Sequence, residues 1–159
     1  MRERSTYYAD LHTHNRFSKD SPATPGQVVE NCRLRRIDYL AVTNHNTIQG
    51  VAETRQIAEE QGLDLVVITG EEITTGILNP AGKAVELLAY FLEETIPGGP
   101  DGLTLEETLR EIKKQKAILG IPHSFELWRH GAGEEIAKEL IARAKEMDIS
   151  ILWEIFNSR

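Results

Sequence analysis

The sequence has a single cysteine, no long apolar run and no excess of positive charge, and each absence excludes a class of protein. Cys32 alone cannot form an internal disulfide, and its place in a predicted helix favours a buried structural thiol over a nucleophile. No stretch approaches the roughly 18 apolar residues of a membrane span, and the N-terminus lacks the apolar segment of a secretion signal. We therefore expect a soluble, cytoplasmic protein with no membrane partner.

The charge balance is acidic, with 18 Lys and Arg against 25 Asp and Glu and a formal net charge of −7. A general nucleic-acid-binding surface needs clustered basic side chains, so this balance argues against one. A phosphate-bearing substrate is still compatible with it, because bound metal ions can outweigh the surface charge inside a pocket. The length of 159 residues and the 40% apolar content predict one domain that spans residues 1–159.

Short apolar runs alternate with longer amphipathic stretches, which predicts β-strands alternating with α-helices. We predict strands at residues 7–11, 38–43, 65–69, 84–92, 120–121 and 149–156. Helices are predicted at 24–36, at 47–61, from 104 onward and at 134–147. Capping boxes at Thr24 and Thr104 mark the starts of two of them. The turn-rich stretch 74–83 predicts a loop or hairpin. This order predicts a largely parallel sheet or barrel with its function at the carboxyl ends of the strands.

Four of the five histidines lie at or just beyond the ends of predicted strands. His12 and His14 form an H-x-H pair, and side chains two residues apart in an extended chain point the same way and can bind one ion. His45 follows the second predicted strand, and His123 follows the short strand near residue 121. Taken singly, each has a structural alternative as a helix cap or a hydrogen-bonded loop residue. Their shared position at successive strand ends favours a metal site.

Two acidic residues extend this pattern. Asp20 follows the H-x-H pair, and Glu72 follows the third predicted strand. Each can also be a solvated surface charge. Together with the histidines they offer the mixture of nitrogen and carboxylate ligands that suits Zn, Mn or Fe(II).

The ordered motifs DLHTH with FSKDS, TNHNTI, GEEI, IPHSF and EIFNSR resemble the PHP (polymerase and histidinol phosphatase) family of metal-dependent phosphoesterases. The resemblance covers nearly the whole chain from Tyr8 onward. It implies an α/β fold, a distorted (β/α)7 TIM-like barrel, with up to three divalent metal ions. It also implies hydrolysis of a phosphate mono- or diester by metal-activated water, with a phosphorylated small molecule or nucleotide as the substrate.

The resemblance implies a set of metal ligands at matching positions, which are His12, His14, Asp20, His45, Glu72, Glu86 and His123. The first ion would be bound by His12, His14 and Glu72. Glu72 would bridge to a second ion that His123 serves, and Asp20 and His45 would hold a third.

The chain departs from the family pattern at several places. Glu86 stands where the family usually has a histidine, so the second metal site would have a harder, charged ligand. Asn44 and Asn46 stand where Asp is frequent, and Ser124 replaces a common Pro. The family's final Ser-Asp-Ala-His type motif is expected after EIFNSR and does not occur. We therefore expect a barrel that lacks its last βα unit, with an exposed strand edge that favours a homo-oligomer. The sequence would then be either a fragment of a longer protein or a shortened relative that binds metal differently or is completed by a partner chain.

Arg16, Lys19 and Arg129 are candidates for phosphate contact, for which a solvated loop charge is the alternative. Two other functions stay open. One is a non-catalytic or degenerate metal-binding module, which the missing final motif and Glu86 favour. The other is an amidohydrolase-type hydrolase, since those barrels also open with an H-x-H pair.

Overall fold

Residues 6–99 and 102–154 are described by the computed structural model, and they form one six-stranded β-sheet with four α-helices. The strands are β1 (Ala9–Thr13), β2 (Tyr39–Val42), β3 (Val66–Leu78), β4 (Ala84–Tyr90), β5 (Ile118–Ile121) and β6 (Ile151–Trp153). The helices are α1 (Pro25–Arg35), α2 (Val51–Glu60), α3 (Leu105–Lys114) and α4 (Gly133–Glu146). A short 3₁₀ turn spans Leu127–Arg129.

Two helices begin where the sequence predicts. The Thr24 hydroxyl accepts the backbone N–H of Gln27, and the Gln27 side chain accepts the backbone N–H of Thr24, so a complete capping box precedes α1. Thr104 and Glu107 make the same pair of bonds before α3. These bonds satisfy N–H groups that have no partner within the first turn of a helix. The two predicted capping boxes are confirmed.

The third strand departs most from the prediction. We ended it at residue 69 and placed a loop or hairpin at 74–83. A hairpin does join β3 to β4, but β3 continues to Leu78, so the predicted strand end is wrong. Only a tight turn remains, in which the Asn79 N–H donates to the Lys83 carbonyl over 2.8 Å. The β-branched residues after Glu72 favour a strand, and pairing with β4 from Gly70 onward holds it extended. Glu72 therefore lies inside a strand and not after one.

The sheet has the order β1-β2-β3-β4-β5-β6 and is only partly parallel. The pairs β1–β2, β2–β3 and β5–β6 are parallel, whereas β4 runs antiparallel to both of its neighbours. The prediction of a largely parallel sheet is wrong for β4. The physical reason is the short turn before it, because a parallel connection needs a crossover of a dozen or more residues.

The sheet curls until its two edge strands approach each other at their carboxyl ends. His12 in β1 lies 3.3 Å from the carboxylate of Glu154, which follows β6 directly. The six described strands thus form a half-barrel. The seven-stranded closure and the self-association at an exposed edge stay predictions. The predicted bounds of the first strand and of the last strand are corrected by β1 and β6, and residues 155 and 156 lie outside the described residues.

Apolar side chains pack on both faces of the sheet. Inside the curl, Leu88 and Tyr90 of β4 pack against Ala41 of β2. Outside it, α1 and α2 cover β2 and the start of β3, while α3 and α4 cover the later part of β3 together with β4, β5 and β6. Fully buried leucines lie in this outer layer, and each contributes about 1.5–3 kcal/mol by burial: Leu40, Leu109, Leu119 and Leu140. Helix packing therefore stabilises the outer face of the sheet.

Cys32 lies buried in α1, where burial raises the pKa of its thiol to about 11. A thiol of this kind is a poor nucleophile at neutral pH, as the predicted structural role requires. Every helix among the described residues is too short or too polar to traverse a bilayer.

Glu71 is a fully buried carboxyl next to Glu72 in β3, and consecutive strand residues point to opposite faces of the sheet. Its Oε2 accepts the backbone N–H of Ile96 over 2.9 Å, while its Oε1 has no hydrogen-bond partner among the described residues. Burial raises the pKa of Glu71 from its ordinary 4.5 to about 7, against the opposing effect of the Ile96 N–H. The folded state therefore favours the protonated carboxyl.

We expect a Glu71→Gln variant to gain stability relative to the parent protein as the pH rises. The folded state binds an extra proton between pH 4.5 and about 7, so the parent's free energy of unfolding falls over this range, whereas glutamine does not titrate. This shift in the pKa of Glu71 corresponds to a change of about 2–3 kcal/mol in the difference between the free energies of unfolding of the variant and the parent. Urea denaturation from pH 5 to pH 8 measures it, and a difference that stays constant with pH would contradict the assignment.

Candidate metal centre

Four histidines surround Glu72 at one end of the half-barrel. His12 lies in β1 and His14 just after it, while His45 and His123 follow β2 and β5. His45 and Glu72 also form a single parallel β-bridge, which continues the pairing of β2 with β3. The structure therefore brings together the four histidines that strand-end position selected.

The two carboxylate oxygens of Glu72 divide the histidines between them. Oε2 lies 3.2 Å from His12 Nε2, 3.0 Å from His14 Nε2 and 3.4 Å from His45 Nδ1. Oε1 lies 3.1 Å from His123 Nε2. The Nε2 atoms of His12 and His14 are themselves 3.1 Å apart. Glu72 is only 2% exposed, so these contacts are shielded from bulk water.

These residues form two groups of three that could hold a metal ion, and within each group the ligand atoms lie within 4.8 Å of one another. The first set is His12, Glu72 and His123, and the second set is His14, His45 and Glu72. Glu72 belongs to both sets. The grouping differs from the one that the PHP resemblance implied, because it separates His12 from His14 and joins His14 with His45. The assignment of individual ligands to individual ions stays a prediction.

The spacing of the donor atoms fits a divalent metal ion. Ligands bound to one ion at about 2.0–2.2 Å lie about 3.0–3.5 Å from one another, and the contacts of Glu72 with the four rings fall between 3.0 and 3.4 Å. Two ring nitrogens that face each other, as those of His12 and His14 do, cannot both be neutral acceptors without a proton or an ion between them. The mixed imidazole and carboxylate donors suit Zn, Mn or Fe(II) without selecting one.

Without metal, protons balance the buried charge. Burial opposes ionisation of Glu72, but hydrogen bonds from His12, His123 and His14 hold its pKa well below its ordinary value. Burial would lower the pKa of His12, yet its contacts with Glu154 and Glu72 raise it to about 9. An ionised Glu72 beside a protonated His12 is thus the state at neutral pH.

Glu86 of β4 borders both sets. Its Oε1 lies 3.5 Å from His45 Nδ1, and its Oε2 lies 3.9 Å from His123 Nε2. Burial, with the nearby charge of Glu72, raises the pKa of Glu86 to about 8. The carboxyl that stands at the family's histidine position is therefore protonated at neutral pH, and a metal ion would have to displace that proton.

Asp20 borders the second set from the loop after β1. Its Oδ1 lies 3.1 Å from His14 Nδ1, and its Oδ2 lies 3.6 Å from His45 Nε2. Burial would raise the pKa of Asp20, but the charges of His14 and His45 lower it. Ser18 was not singled out by the sequence prediction, although its hydroxyl lies 3.0 Å from His14 Nδ1 and accepts the His45 N–H over 3.0 Å. It ties the β1 and β2 loops together.

The three predicted phosphate-contact residues differ in their surroundings. Arg16 is exposed and forms a salt bridge with Glu53 at 2.9 Å, which turns its guanidinium toward α2. Arg129 pairs with Glu126 at 2.8 Å. Lys19 is exposed and makes no ion pair within the described ranges. Phosphate contact by any of them stays a prediction.

Three residues that differ from the family pattern, Asn44, Asn46 and Ser124, form hydrogen bonds around the cluster. Asn44 donates to the side chain of Asn15 and accepts its backbone N–H, both over 2.8 Å. The Asn46 amide accepts the N–H of Thr74 and donates to its hydroxyl. The Ser124 hydroxyl accepts the indole N–H of the last β6 residue. These residues brace the loops that carry the histidines.

Glu154 is a second residue that sequence reasoning missed. It directly follows β6, and its carboxylate contacts His12 and the backbone of His123. The predicted last strand, 149–156, contained Glu154, so the strand-end position that selected Glu72 did not select it, although it is the first residue of the EIFNSR motif.

The fold and the cluster define the class of protein, namely an α/β domain with histidine and glutamate groups that could bind metal at the ends of its strands. The family model described as the PHP domain matches residues 10–147. The chain therefore belongs to the PHP family, as its motifs predicted.

The chain is 31% identical to an uncharacterized protein of Methanocaldococcus jannaschii, over 94% of this chain and 81% of that protein. It is 30% identical to a 5′-3′ exoribonuclease of Haemophilus influenzae, over 84% of this chain and 48% of the relative, so it spans about half of that protein's length. Its fold resembles a two-domain protein from Bacteroides vulgatus that contains a predicted PHP-like metal-dependent phosphoesterase. That match has a TM-score of 0.63 and 19% identity, and it covers 91% of this chain and 50% of the other.

Proposed function

We propose that this chain is a metal-dependent phosphoesterase that hydrolyses a phosphate mono- or diester. The proposal depends on one observation, which is that four histidines converge on the buried carboxylate of Glu72. Their distances from its oxygens match the distances between ligand atoms bound to one metal ion. The relative named as an exoribonuclease supports a phosphate-ester substrate. A phosphorylated small molecule or a nucleotide fits this chemistry.

The side chains of the cluster have separate tasks in this proposal. The first and second sets would each hold one ion, with Glu72 shared between them, and Asp20 and Glu86 would complete the coordination from opposite sides. Divalent ions held here would supply Lewis-acid stabilisation of phosphate charge and an activated water nucleophile. Lys19 and Arg129 would contact the phosphate from the rim.

The test uses the purified chain after chelator treatment and reloading with Mn²⁺, Zn²⁺ or Fe²⁺. We expect bound metal by mass spectrometry and metal-stimulated hydrolysis of an aryl phosphate monoester or diester. The variants His12→Ala and His45→Ala each remove a ring from one set, so both should lose bound metal and fall to background activity.

Arg33→Ala provides the matched control, because Arg33 is exposed on α1 and pairs only with Glu30 in the described contacts. Metal content that stays unchanged in both histidine variants would refute the site. A metal-loaded chain that cleaves neither ester class would refute the reaction.

A non-catalytic metal-binding module is the second candidate, and Glu86 is the observation that favours it. A carboxyl with a pKa raised to about 8 by burial and by Glu72 is protonated at neutral pH, so it opposes occupancy of the ion nearest to it. In that case the chain would bind metal without accelerating ester hydrolysis. A Glu86→His variant that acquires activity absent from the parent would support this second function for the natural chain.

A further inference from the structure

Glu154 spans the opening between the two edges of the half-barrel. Its backbone N–H donates to the Ile121 carbonyl over 3.0 Å, which fixes it beside the end of β5. From there its Oε1 reaches His12 Nδ1 on β1 at 3.3 Å, while its Oε2 accepts the backbone N–H of His123 over 2.8 Å. One carboxylate therefore contacts two members of the first set from outside the cluster.

The contact with His12 fixes which ring nitrogen faces the cluster. A carboxylate oxygen accepts a hydrogen bond, so Nδ1 of His12 must carry the proton in this contact. Its Nε2 then points at Glu72 Oε2 at 3.2 Å, with a lone pair for an ion once the ring is neutral. A metal-binding histidine commonly gives its other ring N–H to a carboxylate in this way.

The contact with His123 stabilises a strained backbone conformation. His123 has a φ of 29°, in the left-handed region that a residue with a side chain rarely adopts. The bond from its N–H to Glu154 helps to hold this conformation, in which His123 Nε2 reaches Glu72 Oε1 at 3.1 Å. The same carboxylate thus sets the ring of His12 and the backbone of His123.

We propose that Glu154 is a positioning residue that prepares His12 and His123 to bind one metal ion together. The inference rests on the proposed metal centre and adds a residue outside both sets. The role predicts that removing the carboxylate weakens metal binding about 10- to 100-fold, the usual cost of losing a partner that orients a ligand.

The experiment measures Zn²⁺ affinity by competition with a chromophoric chelator for the parent chain and for Glu154→Gln, Glu154→Ala and Glu154→Asp. The glutamine variant keeps the size of the side chain but has one acceptor oxygen for two donors, so one bond must fail. We expect a 10- to 100-fold loss in the glutamine and alanine variants and partial recovery in the aspartate variant. Glu135→Gln, at an exposed position on α4, should bind like the parent.

A spectroscopic readout separates positioning from general loosening of the fold. In the zinc-loaded parent, nitrogen-detected NMR of the imidazole rings should show a His12 Nδ1–H that exchanges slowly with water, assigned by its loss in His12→Ala. Glu154→Ala should make this proton exchange rapidly even where zinc is supplied in excess. Thermal unfolding of the metal-free proteins checks that each variant is folded.

The outcomes separate this inference from the proposed function. A parent chain that takes up none of Zn²⁺, Mn²⁺ and Fe²⁺ would overturn both. A parent that binds zinc, with Glu154→Gln and Glu154→Ala of equal affinity and an unchanged His12 signal, would overturn only the role of Glu154. A loss of affinity in Glu154→Gln that Glu135→Gln shares would overturn it as well.

Discussion

Replacing Glu72 by glutamine is expected to remove tight metal binding from the protein. Glu72 supplies a ligand atom to both sets, and a neutral amide is a weaker donor whose NH₂ group would face the cation. Four-ligand sites bind with about 10–16 kcal/mol, so one ligand is worth about 3–4 kcal/mol and its loss weakens affinity about 100- to 1000-fold. Mass spectrometry after dialysis and competition with a chelator measure the loss, and hydrolysis should fall with it.

The neighbouring carboxyl provides the control. Glu71→Gln changes the adjacent residue of β3 in the same chemical way, but Glu71 bonds to Ile96 and lies on the other face of the sheet. It should keep parental metal content. Parental affinity in Glu72→Gln, or equal losses in both variants, would show that the shared carboxylate is not the centre of the site.

The histidines could be predicted because parallel βα units place their loops at one end of a sheet. His12 lies near the end of β1, and His14 and His45 follow β1 and β2. These strands run parallel and next to each other, so strand-end position alone predicted the proximity of the three rings. His123 follows β5, which points to the same end as β2 and β3 because β4 runs antiparallel to both β3 and β5. Strand-end position therefore predicted the site correctly for the strands whose direction was predicted correctly.

Glu72 was selected because it was expected to follow a strand, but it lies inside β3. The Gly-Glu-Glu sequence looked like the end of a strand, but β3 extends past it because β4 returns directly beside it. The alternation of a strand predicts that Glu71 and Glu72 face opposite sides. It does not predict that both are buried, since that depends on helices and strands distant in the chain.

Glu154 was missed because its partners are far away in sequence. It lies 142 residues from His12 and 31 from His123, and only the curl of the sheet brings β1 and β6 together. No local pattern reports that curl. The four helices pack on the outer face of the curled sheet, and Leu88 and Tyr90 pack on its inner face.

The pKa values of the cluster predict that metal affinity rises steeply between pH 6.5 and 9. Contacts with Glu154 and Glu72 outweigh burial and raise the pKa of His12 to about 9, and burial with Glu72 raises the pKa of Glu86 to about 8. Both groups carry a proton below these values and must release it to bind an ion. The pKa of Glu72 lies well below its ordinary range and that of His45 is lowered by burial, so neither adds a proton to be released.

Two displaced protons give a slope approaching two in a plot of log affinity against pH near pH 7, declining as Glu86 and then His12 ionise. Calorimetric titration with Mn²⁺ in buffers of different ionisation enthalpy counts the released protons directly. Glu86→Gln cannot release its proton, so its slope should be smaller by about one than that of the parent. An affinity that is flat from pH 6.5 to pH 8.5 would mean that the ion does not bind next to His12 and Glu86, because an ion there must compete with the protons of these two groups.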